Sequence, residues 1–107
     1  MRASFALVLC LLLGCSKGSS EPAGSCYRDS DNTCTEYETD KSAAGKRLCT
    51  GHRWTTGTNS CPSSQRLGLC TKGPLVETMY AGPPNNFTLE SARAVCEATN
   101  ARRFTPL

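Results

Sequence analysis

Isoleucine is absent from this chain of 107 residues, and beyond residue 14 its large aliphatic residues are six leucines, two valines and Met79. So small a supply excludes a domain held mainly by an oily centre. A chain with under about 20% of such residues stays unfolded when its charge is also large, but 12 basic and 9 acidic residues leave only +3. There is one histidine, His52, and its neighbours Arg53 and Trp54 bring no carboxylate to orient an imidazole. The chain has no Gly-x-Ser-x-Gly elbow, no Cys-x-x-Cys pair of the kind structural zinc sites use, and no basic stripe interleaved with aromatics. These absences point away from an enzyme, a zinc domain and a nucleic-acid partner, and no cofactor is implied. The one long apolar run, residues 5–13, falls short of the roughly 20 residues that cross a bilayer.

That run is nevertheless the most informative stretch present. Arg2, the apolar segment and the small residue Gly14 before Cys15 make the layout of a secretory signal. The junction Leu12-Leu13-Gly14-Cys15 resembles the lipobox of bacterial lipoprotein precursors, with Leu13 where that family most often has alanine or serine. The resemblance covers residues 1–16. It implies removal of residues 1–14, acylation of Cys15 by fatty chains such as palmitate, and a membrane contact through that lipid anchor. Ser16, in place of the aspartate that retains such proteins at the inner membrane, implies the outer membrane. The competing reading is an ordinary signal cut before Ser25, with Cys10 and Cys15 discarded, which would make a soluble secreted protein.

Removing residues 1–14 from 107 leaves 93, enough for one small domain. Residues 15–25, rich in serine and glycine, are expected to form a flexible lipidated tether, and residues 26–107 a single domain. Six cysteines lie in it: Cys26, Cys34, Cys49, Cys61, Cys70 and Cys96. An even set in an exported chain with a thin core predicts three disulfides that replace missing burial. Fifteen pairings are open to six cysteines, and Cys70 with Cys96 is the one preferred, joining a strand to the last helix.

The expected fold is a small disulfide-rich α+β domain. One helix is predicted at about 42–50, opened by Asp40 or Ser42 and stopped by Gly51, with Ala44 and Leu48 inward. A second is predicted at about 89–99, capped by Thr88, with Glu90 in the first turn and Asn100 as terminator; Leu89, Ala92, Val95 and Cys96 share one stripe. A short antiparallel sheet is expected from 53–57, 65–71 and 75–80, the last two joined around Lys72-Gly73-Pro74. Tyr37, Ser42-Ala43, Cys49 and Trp54 are echoed by Tyr80, Ser91-Ala92, Cys96 and Phe104. Two copies of one unit and a chance recurrence of helix formers explain that echo equally well.

Each candidate for chemistry has a plainer alternative. Cys49-x-x-His52 has metal-ligand spacing, but in an exported chain a disulfide is the stronger expectation for Cys49, and no metal site is assigned. Asp29, Asp31, Glu36 and Asp40 lack the glycine that a calcium loop needs at its sixth place, where Cys34 stands, and read as a solvated loop. Arg102 and Arg103 could meet lipid phosphate or acidic polymers. Trp54, Tyr80 and Phe104 could stack on sugar, though in so lean a domain they are expected to be core. Asn86-Phe87-Thr88 is a glycosylation sequon in a eukaryotic setting and otherwise a helix cap. The expected function is binding or structural contact in the cell envelope, with an envelope protein or polysaccharide as partner and no catalytic residue. The alternative is a secreted effector, such as a protease inhibitor or toxin-like ligand, using the Gly82–Phe87 loop. Thiol labelling of the native protein should find no free sulfhydryl among the six later cysteines; two or more would restore the metal reading of Cys49 and His52.

Overall fold

In the computed structural model, residues 21–107 are described. Strands β1 (Gly24–Arg28) and β2 (Thr33–Tyr37) are followed by helix α1 (Ser42–Leu48) and strand β3 (Arg53–Thr56). Strands β4 (Arg66–Lys72) and β5 (Leu75–Tyr80), helix α2 (Leu89–Glu97) and strand β6 (Arg102–Pro106) then repeat that order. The strands make one antiparallel sheet in the order β3-β1-β2-β5-β4-β6. The sheet is therefore twice as wide as the three strands expected, and the domain is richer in sheet than in helix. β1 and β2, with sequences GSCYR and TCTEY, contain no aliphatic residue, and only the short Thr33, Thr35, Tyr37 alternation of β2 favours a strand. β1 also starts at Gly24, so the last two residues of the expected 15–25 tether belong to the sheet, with Ser25 buried.

The echo in the sequence is an architectural repeat. Read from either end, the sheet passes through matching strands, and an approximate two-fold axis falls between Thr35 and Glu77, which pair at its centre. Cys26 pairs across to Trp54 in one half as Cys70 pairs to Phe104 in the other. Gly24 and Gly68, each two residues before those cysteines, are where the rings lie down: a Cβ at Gly24 would overlap Trp54, and one at Gly68 would overlap Phe104. The register also corrects the match. Tyr37 faces Gly24 while Met79 faces Gly68, so Met79, rather than Tyr80, is the counterpart of Tyr37. Gly45 and Ala92, each four residues before its helix's disulfide cysteine, correspond in the same way, and the two serines do not.

Cross-strand partners share a face, so Trp54, Cys26, Thr35, Glu77, Cys70 and Phe104 form one row on one side of the sheet. Both helices are stapled to that side, by Cys26–Cys49 and Cys70–Cys96. On the opposite side Cys34–Cys61 fastens the β3–β4 connection, packed with Tyr27 and Tyr80. Burial holds the Tyr80 phenol above its ordinary pKa, partly offset by Arg66. The bridges close spans of 23, 27 and 26 residues, each worth about 3 kcal/mol by loop-closure entropy. That is comparable with the whole stability of a small domain.

The helix seams are narrower than the pattern predicts. In α1, Ser42 and Gly45 are buried while Ala44 and Leu48 face solvent, because the Tyr37 ring occupies the space against Gly45. Lys41 opens the helix without a side-chain cap; the Ser42 hydroxyl donates instead to the carbonyls of Glu21 and Thr39. In α2, Ala92 and Cys96 are buried while Leu89 and Val95 are half exposed. Thr88 caps α2 in a reciprocal box with Ser91, and the left-handed residue after the helix is Ala101 rather than Asn100.

The two halves are also pinned by one amide. Asn32, left-handed in the β1–β2 turn, donates through Nδ2 to the carbonyls of Tyr80, Ala81 and Gly82 and accepts from the Tyr27 hydroxyl. Asn32→Ala deletes that hub and leaves buried acceptors unpaired, so chemical denaturation should read a loss of about 2–3 kcal/mol.

Candidate functional site

Beside α2 the helix-bearing face opens into a cleft of about 210 Å³. Its floor is the centre of the sheet: Thr33 from β2, Glu77 and Met79 from β5, and Cys70 and Lys72 from β4. Val95 and Cys96 of α2 form one wall, Asn85 and Phe87 of the β5–α2 connection another, and Asp31 and Arg102 stand at its margins.

The electrostatics are divided between floor and rim. Lys72 Nζ and Glu77 Oε1 form an ion pair at 2.9 Å with side chains 30% and 11% exposed, so each largely neutralises the other within the protein. Asp31 and Arg102 have no ion-pair partner among the described residues. The Thr33 hydroxyl is shielded and has no hydrogen-bond partner, the one side-chain polar atom in that position among the described residues. An unpaired buried hydroxyl carries a desolvation penalty that a bound group could relieve.

The cleft is not a by-product of the fold, because the related half of the sheet lacks these groups. The axis carries Met79 onto Tyr37 and Thr33 onto Leu75. There Leu75 packs against Cys26, Tyr37 and Cys49, a larger ring and an aliphatic chain occupying the positions of a thioether and a hydroxyl.

The residues singled out from sequence scatter. Cys15, with the signal and the lipobox, lies outside the described residues. Cys49 is bonded to Cys26, which removes the thiolate that a site with His52 would need. The acids disperse: Asp29 pairs with Arg53 at 2.6 Å, Glu36 accepts from the Cys61 amide at 3.0 Å, and Asp40 lies 4.0 Å from Lys41. Trp54 and Phe104 lie near opposite edges of one face and Tyr80 on the other, so no shared stacking surface forms. Strand alternation places Arg102 at the cleft and turns Arg103 away. The Gly82–Phe87 loop lends the cleft Asn85 and Phe87. In the sequon, Asn86 is exposed and left-handed, and Thr88 is the α2 cap.

Thr33, Lys72, Glu77, Asn85 and Met79 were not legible as a site, because four elements bring them together. One signal existed: Lys72 and Glu77 flank Gly73-Pro74, and hairpin pairing sets Cys70 opposite Glu77, placing the lysine one diagonal away. What the fold and cleft define is a cysteine-stapled sheet domain with a polar recess; no protein-family model, curated protein or solved structure matches the chain. Thr33→Val keeps the shape and removes the unpaired hydroxyl, so the unliganded protein should gain about 1 kcal/mol in denaturant unfolding.

Proposed function

We propose that this chain is a small exported cell-envelope lipoprotein, held at the outer membrane by acylated Cys15, whose α+β head acts by binding rather than by catalysis. The observation that carries the proposal is the pairing of all six head cysteines into three disulfides, a means of stability suited to an oxidising compartment outside the cytosol. The lipobox-like junction at Gly14-Cys15 supplies the anchor. One acyl chain holds a protein reversibly, whereas two or three hold it durably. Among the described residues no helix is long and apolar enough to cross a membrane, so attachment in this proposal falls to the lipid. The polar cleft is the contact through which the head would bind.

The second reading, a soluble secreted effector, draws support from the exposed Pro83-Pro84-Asn85-Asn86 segment, whose base is fastened by Asn32. Intact mass and fractionation separate the two. The mature protein should begin at Cys15 carrying acyl chains, and Cys15→Ser should move it from membranes to the soluble fraction. Retention of Cys15→Ser on membranes, or an unlipidated start downstream of Cys15, overturns the anchor and leaves the secreted effector.

A further inference from the structure

The head's binding role, taken from the preceding proposal, leaves open what the cleft receives. We propose that it holds a free short peptide of about three residues, with the terminal ammonium on Asp31 and the terminal carboxylate on Arg102.

Charge selects the class. Lys72 and Glu77 satisfy one another on the floor, leaving at the margins one acid, which accepts only from the exposed Ser30 hydroxyl at 3.4 Å, and one base, neither with an ion-pair partner among the described residues. A ligand that completes both is neutral overall and carries opposite charges at its two ends. Arg102 offers a planar fork suited to a carboxylate.

Spacing selects the length. Arg102 lies three strands away from β2 and, by the paired register, four residues further along the sheet than Thr33, and Asp31 lies two residues beyond Thr33 on the side away from Arg102. At about 4.8 Å between strands and 3.3 Å per residue, Asp31 and Arg102 are roughly 24 Å apart at their backbones. The reach of the arginine and aspartate side chains, with an ion-pair contact at each end, leaves on the order of 10 Å for the ligand, the span of about three extended residues at up to 3.6 Å each. A single amino acid is too short to touch both ends. The cleft volume of 210 Å³ also lies below the roughly 300 Å³ at which sites for drug-sized ligands begin.

The remaining groups suit such a chain. The unpaired Thr33 hydroxyl can donate to a peptide carbonyl or accept from a peptide amide, and Asn85 offers both functions from the loop. Met79, Phe87 and Val95 supply apolar wall for small side chains. The related half of the sheet, with Leu75 and Tyr37 in place of Thr33 and Met79, offers no such arrangement.

The test titrates the purified, oxidised protein with trialanine, N-acetyl-trialanine, trialanine amide and N-acetylglucosamine, following the amide resonances of Thr33, Asn85 and Arg102. Trialanine should shift all three, and blocking either terminus should weaken binding at least about tenfold. Arg102→Ala should bind trialanine and its amide alike, and Asp31→Asn should bind trialanine and its acetyl form alike. Thr33→Val, expected to be at least as stable as the parent, should weaken trialanine and leave both blocking effects in place. Equal binding of free and blocked peptides, or trialanine binding unchanged in Arg102→Ala and Asp31→Asn, overturns the assignment. Silence with trialanine while N-acetylglucosamine shifts the same resonances also overturns it and leaves a binding head intact. Silence with both overturns it and removes the cleft from the proposed function as well.

Discussion

Cys26–Cys49 and Cys70–Cys96 tie each helix to the strand beneath it, and neither helix has another attachment to the sheet of comparable strength. α1 buries little more than Ser42 and Gly45, and α2 little more than Ala92 and Cys96. Helices of 7 and 9 residues are too short to persist by hydrogen bonding alone, and seams this narrow contribute little hydrophobic free energy. A sulfur bridge near the end of each helix fixes it over the sheet and restricts the unfolded chain. The side chains elsewhere on the helices are then free of core duty, which is how Leu48 can stand 69% exposed without loss of the fold.

The same economy allows a polar centre. A sheet flanked by bulky aliphatics would leave no place for Thr33, Thr35 and Glu77 at its middle. Here the apolar mass sits in two separate clusters beneath the helices, around Tyr37 in one half and Met79 in the other. The axis between Thr35 and Glu77 therefore passes through hydrogen-bonding groups. Two copies of one unit supply the scaffold, and differences between them, Thr33 against Leu75 and Met79 against Tyr37, create a recess on one side only. In proteins built from repeats, such departures from symmetry are where a binding surface can arise without disturbing the frame.

How much of this was legible can be read from particular residues. Thr88 and Glu90 announce α2 because caps and first-turn acids act within a few residues of the backbone they satisfy. Leu75–Tyr80 announces β5 by composition, and Gly73 marks the hairpin. β1 carries no such mark, and β2 only the short alternation of Thr33, Thr35 and Tyr37; Cys26 and Cys34 become strand residues through pairing with segments brought alongside. Leu48 and Val95 lie on apolar stripes yet stand exposed, since periodicity identifies such a stripe and not the width of the surface it meets. The cleft was invisible for the same reason; its charges come from a turn, two strands and the start of a third.

The means of staying folded, the two helices and the second hairpin could be read from the residues in order. Those follow from residue counts, capping chemistry and short-range backbone preferences, all local or compositional. The disulfide pairing, Cys70–Cys96 included, the six-strand order with its two-fold repeat, and the meeting of Thr33, Glu77 and Arg102 arise only in the folded chain. Those depend on which strands lie side by side, and pairing at long range is set by the joint packing of the whole chain rather than by any segment alone.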